Sequence, residues 1–234
     1  MISVAIPTHQ DRIKYYIHTI KNLYNVVDEF IVVDDASGDK VVNKAKEILN
    51  GMSKVCFVPG KQRLGAFRNK VDAVRMCRNP WVALLDSDNL FEADYINAFK
   101  KALETMPGCT VYAPVQSRPR FNFREFEGQR ITSGNAGKFM ENDMFQVLMN
   151  TGNYVVDRVK YLEVLEPIFE SNEVIPQCCD VCFANYYLLK AGGTIGVAPG
   201  MSYSHLDHPE STYHQFVEKE PEETLKWQNM IRSL

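Results

Sequence analysis

Two carboxylates one residue apart close an apolar run at Trp81-Val-Ala-Leu-Leu-Asp-Ser-Asp-Asn89. Trp81 to Leu85 is unbroken and apolar between turn signals, the pattern of a parallel strand covered on both faces, and Asn79-Pro80 marks its start. Asp86 and Asp88 then stand at the strand's carboxyl end, where open α/β sheets bind ligands. On an extended backbone residues i and i+2 share a face, so both side chains are expected to aim at one point. Two hard oxygen ligands suit Mg²⁺ or Mn²⁺, which bind through one or two carboxylates together with the substrate's phosphates. The stretch is expected to hold a metal-diphosphate. The competing reading is a polar turn, because Asp, Ser and Asn are ordinary turn formers.

The elements that must position this stretch are strands alternating with helices. Ile2 to Ile6 is a short apolar strand closed by Pro7-Thr8, and Ile13, Tyr16, Ile17, Ile20, Leu23 and Tyr24 recur at helical spacing behind Asp11, a fair N-cap. Glu29 to Val33 predicts a second strand ending in Asp34-Asp35, with an amphipathic helix over Asp39 to Asn50. Val55 to Val58 predicts a third strand and Gly65 to Cys77 a third helix, with Phe67, Val71, Val74 and Met76 as buried contacts. After the Trp81 strand, Glu92 to Met106 carries Tyr95, Ile96, Phe99 and Leu103 on one helical face. Such alternation implies right-handed crossovers and a mostly parallel sheet, so the fold class is α/β with a Rossmann-like central sheet flanked by helices.

Beyond a strand at Thr110 to Val115 the pattern loosens. Arg118 through Gly137, with Arg118, Arg120 and Arg124, has no clean period and is expected to be a binding loop, where the arginines could meet phosphates, or a solvated surface loop. Helices over Asn142 to Met149, Val159 to Phe169, Asp180 to Ala191 and Glu222 to Ile231, with short strands at Asn153 to Val156 and Thr194 to Val197, complete the chain. One domain is expected, residues 1–115 forming one half and 116–234 a less regular second half.

With 234 residues, 45% hydrophobic and 24% charged, the chain is long enough for one sizeable core. A net charge of −3 gives no electrostatic footprint for nucleic acid. Cys179 and Cys182 are spaced Cys-x-x-Cys but have no second pair at zinc-finger spacing, and six cysteines without a framework suit a reducing compartment. No apolar run approaches a membrane span and no leader pattern opens the chain, so a cytoplasmic protein without a transmembrane segment is expected.

Four separated motifs now stand in order: Pro7-Thr8, Val32-Val-Asp-Asp-Ala-Ser37, Gly65-Ala-Phe-Arg-Asn69 and Asp86-Ser-Asp88. Together they resemble the family 2 glycosyltransferases of GT-A fold, clearly over roughly residues 2 to 100 and more weakly to about 212. The resemblance implies inverting transfer of a sugar from a nucleoside-diphosphate sugar, UDP-linked, to a carbohydrate or glycan acceptor with Mn²⁺ or Mg²⁺. It implies that Thr8, Asp34 and Asp35 receive a uracil-type base, and that Gly65, Arg68 and Asn69, opening a helix, meet an anion or base edge. Asp88 would ligate the metal while Asp86 bonds the ribose or shares the metal, with Ser87 among the donor contacts. His205 would be a third metal ligand, with Asp207 and His208 competing and Ser204 or Ser211 touching phosphate. Asp180 would be the base that deprotonates the acceptor hydroxyl, and Asn153 would flank the acceptor.

The chain departs from that family at Arg63, where Asn is common, at Val71, where a small residue is common, and at Cys179, where an acidic residue usually precedes the aspartate. Asp180 could also be a helix N-cap. The rival functions are a sugar nucleotidyltransferase and a non-catalytic nucleotide-binding or receiver-like α/β domain. The first would carry a Gly-rich basic loop where Pro7-Thr-His-Gln-Asp11 stands, and a receiver would leave Asp180 without a purpose.

Overall fold

A computed structural model describes residues 1–171, 175, 178–206 and 221–234. Its first half runs β1 (Ile2–Thr8), α1 (Ile13–Leu23), β2 (Glu29–Asp34), α2 (Asp39–Leu49), β3 (Val55–Pro59), α3 (Ala66–Met76), β4 (Trp81–Leu84), α4 (Ala93–Thr105) and β5 (Val111–Ala113). The second half adds β6 (Gln116–Arg118), β7 (Phe121–Asn122), β8 (Arg130–Ile131), α5 (Ala136–Phe139), α6 (Asp143–Thr151), β9 (Val155–Asp157), α7 (Arg158–Glu170), α8 (Asp180–Lys190), β10 (Ile195–Val197), β11 (Ser202–Ser204) and α9 (Pro221–Arg232).

Eight strands form one sheet in the order β3-β2-β1-β4-β9-β5-β10-β8. β3, β2, β1 and β4 are parallel neighbours, whereas β9 runs antiparallel to both β4 and β5. Side chains on successive strand residues face opposite sides, and the sequence uses both. Val82 and Leu84 join the apolar cluster shared with α3, α6, α7 and α8. Ala83 and Leu85 join the cluster shared with α1, α2 and α4. The Trp81 run is apolar throughout because both of its faces are covered.

The chain first winds outward, β1 to β2 to β3, and then returns across α3 to place β4 on the other side of β1. The order therefore reverses between β1 and β4, and a cleft forms at their carboxyl ends because the flanking helices leave on opposite faces. Thr8, Asp34 and Asp86 all lie at this edge.

Two sequence expectations change here. Residues 116–137 are ordered: β6 and β7 pair with β11 in a second, three-stranded sheet, and Phe123 and Phe126 are buried, Phe126 against Phe139 and Phe145. These aromatic pegs fasten a segment whose strands of two or three residues are too short to show a period. Asp11 is not the cap of α1; Arg12 holds that position without a side-chain cap, and Asp11 pairs with Lys44 at 2.6 Å.

No helix among the described residues is long and apolar enough to cross a membrane.

Candidate active site

At the edge of β2 the two adjacent aspartates divide their work. Asp35 accepts the backbone N–H groups of Leu64 (2.5 Å) and Gly65 (3.0 Å), so its carboxylate ties down the loop that enters α3. Gly65 meets that demand at φ 83°, a left-handed backbone that glycine adopts without steric cost. Asp34 accepts the Ser37 N–H at 2.8 Å through Oδ2, which leaves acceptor capacity on its second oxygen. Asp35 thus has a loop N–H on each oxygen, whereas the hydrogen bond to Asp34 falls on Oδ2 alone.

The start of α3 is also spent internally. Arg68 donates to the carbonyls of Phe169 (3.1 Å) and Ser171 (2.9 Å) at the end of α7, where helix carbonyls lack partners. Through these bonds Arg68 clasps α3 to α7. Asn69 sends its amide to the carbonyls of Thr8 (3.4 Å) and Val33 (3.2 Å), bracing the ends of β1 and β2.

The Asp-x-Asp stretch is a turn and not a continuing strand: β4 ends at Leu84, and the Asn89 N–H donates to the Asp86 carbonyl at 2.9 Å. The two carboxylates consequently take different partners. Asp86 is gripped by Asn153, whose Oδ1 accepts the Asp86 N–H (2.8 Å) and whose Nδ2 donates to Asp86 Oδ2 (3.1 Å). Asn153 sits at φ 57°, a region Asn tolerates better than most residues, and its carbonyl accepts the buried Tyr95 hydroxyl. Asp88 pairs with Arg12 at 3.0 Å, joining the β1–α1 loop to the acidic turn.

Gly152, beside Asn153, has φ 70° and ψ −152°, a combination essentially restricted to glycine. A Cβ there would stand 3.2 Å from Val181 Cγ2 and 3.5 Å from Asp86 Oδ2. Gly152→Ala is expected to lower stability by about 1–3 kcal/mol, seen as a lower urea midpoint; an unchanged midpoint would show that the corner is not strained.

Asp180 is brought to this cleft from far along the chain. Cys179 occupies the N-cap position of α8 without a side-chain cap bond, so Asp180 is the first helical residue and not the cap. Its Oδ2 lies 2.9 Å from Lys70 Nζ, and the same ammonium lies 3.2 Å from Asp86 Oδ1. Asn150 fixes the entry of α8 by donating to the Cys178 carbonyl (3.0 Å) and accepting the Cys182 N–H (3.3 Å). Burial opposes the charge on Lys70, but the attraction of Asp180 and then of Asp86 outweighs it and pushes its pKa up. Lys70 is therefore an ammonium at any physiological pH.

Lys70 was not among the residues singled out from the sequence. The signal that could have found it is its place on the buried stripe of α3, between Phe67 and Val74, where a charge demands a partner.

His205 is carried close to the acidic turn, since β11 bridges Leu90 through Ser204 and the Leu206 N–H donates to Asn89 at 3.1 Å. Its ring nevertheless packs edge-on to Phe121, with centroids 5.9 Å apart. Among the described residues no three of His, Cys, Asp and Glu gather as a ready-made metal-binding group. Asp207, His208 and Ser211 lie outside the described residues. The Cys-x-x-Cys pair is unbridged; burial pushes the Cys182 thiol up to about 12 and raises Cys179 as well, which removes thiolate chemistry at neutral pH.

Two observations bear on what would fill the cleft. Asp86, Asp88 and Asp180 set three carboxylates against the cations of Lys70 and Arg12. Burial, then repulsion from Asp88 and Asp180, lift the Asp86 pKa although Lys70 pulls it back. The cluster is short of positive charge, and its hard oxygens fit Mg²⁺ or Mn²⁺. Secondly, Thr8 Oγ1, His9 Nδ1, Asn69 Oδ1 and Ser87 Oγ are buried without a hydrogen-bond partner among the described residues. Such orphans cost about 1–3 kcal/mol each, and here they collect around the carboxyl ends of β1 and β4.

A mostly parallel sheet with its cleft at the β1/β4 reversal, flanked by helices and closed by a second small sheet, defines an α/β fold of the GT-A type. Over 98% of its length the chain superposes on Staphylococcus aureus TarS crystallised with UDP-GlcNAc, at a TM-score of 0.71 and 15% identity, covering 65% of that chain. It also matches the mannosyltransferase PcManGT of Pyrobaculum calidifontis in complex with GDP-Man and Mn²⁺, at a TM-score of 0.60 and 19% identity, over 92% of this chain and 59% of that one. The glycosyl transferase family 2 model matches residues 3–164, and the chain belongs to that family.

Among curated relatives, an uncharacterized glycosyltransferase of Mycoplasma genitalium is 32% identical over 107 residues, 43% of this chain and 36% of its own length. A second, from Methanocaldococcus jannaschii, is 24% identical over 94 residues, 38% of this chain and 32% of its own length. The chain thus spans about a third of the curated relatives it matches.

Proposed function

We propose that the chain transfers a sugar, with inversion at the anomeric carbon, from a UDP-linked donor to a hydroxyl of a carbohydrate or glycan acceptor, using Mn²⁺ or Mg²⁺. The observation that carries this reading is the meeting of Asp86 and Asp180, from opposite halves of the chain, on the ammonium of Lys70 beside the β1/β4 cleft. A donor-side carboxylate and a candidate base then share one solvent-reached point, with side-chain exposures of 28% and 10%. The six free cysteines suit work in a reducing compartment.

In this reading the uncommitted oxygen of Asp34 accepts the imide N–H of the uracil, and Thr8 Oγ1 and Ser87 Oγ spend their buried hydrogen-bonding capacity on the donor. Asp88 and, through its remaining lone pairs, Asp86 would hold the divalent cation, with diphosphate oxygens and water completing its coordination. When bound, that cation supplies the positive charge that the departing diphosphate requires. Asp180 takes the proton from the acceptor hydroxyl as that oxygen attacks the anomeric carbon and the bond to the diphosphate breaks. The proton rests on Asp180 and the electron pair leaves with the nucleotide.

The test is an NMR product analysis after incubation with UDP-, GDP- and dTDP-sugars, Mn²⁺ and a panel of glycan acceptors. A glycoside of inverted anomeric configuration formed from a UDP-sugar is the expected product. A glycoside of retained configuration, or transfer only from other nucleotides, would contradict the corresponding part of the proposal.

A further inference from the structure

The ammonium of Lys70 has three protons and two carboxylate partners, Asp86 Oδ1 at 3.2 Å and Asp180 Oδ2 at 2.9 Å. Both bonds are made from a helix whose other residues at this level are apolar, Phe67 and Val71, each nearly fully buried. The cavity that the three charged groups share, about 30 Å³, is otherwise lined by Leu84, Val111, Tyr161 and Val181 among others. In such surroundings a carboxylate is poorly solvated and depends on its direct partners for orientation. Among the described residues, the Asp180 carboxylate pairs with Lys70. Asp86 has a second, independent holder in Asn153. Among the described residues Asp86 thus has Asn153 as a holder besides the lysine, whereas Asp180 is held by the lysine.

We infer that Lys70 is a positioning residue for the acceptor side of the reaction: by binding Oδ2 of Asp180 it turns Oδ1 toward the incoming hydroxyl, and through Asp86 it keeps that carboxylate in register with the donor. This deepens the glycosyltransferase reading and rests on it. The bridge fixes the distance between the proton acceptor and the donor loop, although the two reside on opposite halves of the chain. Proper placement of reacting groups is worth orders of magnitude in rate, so the lysine acts on turnover. Donor affinity, set by Asp34, the acidic turn and Asn153, is left nearly unchanged.

The experiment compares Lys70→Met, which keeps the length of the side chain and removes the charge, with Lys70→Arg, alone and combined with Asp180→Asn. Circular dichroism and the urea midpoint first establish that each variant is folded. For Lys70→Met kcat is expected to fall at least about tenfold while calorimetric UDP affinity stays within about threefold, and Lys70→Arg should recover most of the loss. Because the lysine acts through Asp180, adding Lys70→Met to Asp180→Asn should cost less than about threefold more. Multiplying losses in the double variant, or normal turnover in Lys70→Met, would overturn the inference while leaving the transferase reading intact. Normal turnover in Asp180→Asn would overturn the assignment of Asp180 as the base and this inference with it, while a wild-type chain that turns over no nucleotide sugar would overturn the transferase reading as well.

Discussion

Asp180→Asn is expected to lower kcat by roughly 10² or more while UDP affinity stays near that of the wild type. Asparagine keeps the size of the side chain and an oxygen for Lys70, 2.9 Å away in the native pairing, so the entry of α8 should hold its place. What disappears is the capacity to accept a proton, and an attacking hydroxyl must then shed its proton to water. The Asn150 bonds to the Cys178 carbonyl and the Cys182 N–H do not involve the carboxylate, and Asp180 is not the helix cap, so stability should change little. Steady-state rates at saturating donor, with calorimetry for UDP, separate the two effects. Near-normal turnover would return Asp180 to a structural ion pair with Lys70.

Asp88→Ala should abolish the divalent-cation dependence of donor binding. Asp88 reaches the cleft from a turn braced by the Asn89–Asp86 backbone bond, and its partner Arg12 sits on a different loop at 3.0 Å. The pair is largely buried, with side-chain exposures of 16% and 12%, and one arginine does not saturate the carboxylate, so Asp88 would keep lone pairs for a cation. Asp86, by contrast, is already bound on both oxygens, by Lys70 and Asn153, so it cannot replace Asp88 as the principal ligand. Thermal shift with UDP, with and without Mn²⁺, reads the outcome: the wild type should gain stability from the metal and the variant should not. A variant that keeps the full metal-dependent shift would move the cation elsewhere.

The elements of the first half were legible because their periods are long. α3, expected over Gly65 to Cys77, spans Ala66–Met76, and the apolar Trp81 run is β4 because both sheet faces are covered. The second sheet was not legible: β6 and β7 span three and two residues, and their partner β11 lies far along the sequence, so no local pattern could announce them. For the site, residue type located the right edge of the sheet but not the direction of each side chain. Nothing in Asp34-Asp35 tells which carboxylate is consumed by the loop before α3; that depends on Leu64 and Gly65 returning beneath β2. Arg68 invited an anion contact through its place on a helix start, and its bonds to the open carbonyls at the end of α7 were not legible. Lys70 was passed over because lysine on an amphipathic helix usually faces water, whereas here it falls on the apolar stripe and the two carboxylates it meets come from β4 and α8.

The most direct measurement is a calorimetric titration of UDP into the wild-type chain, once with Mn²⁺ and once with EDTA. A nucleotide gripped through a cation at the acidic turn should bind at least about tenfold more tightly with the metal, a difference of about 1.4 kcal/mol. Equal affinity in the two titrations, or no binding of UDP in either, would contradict it.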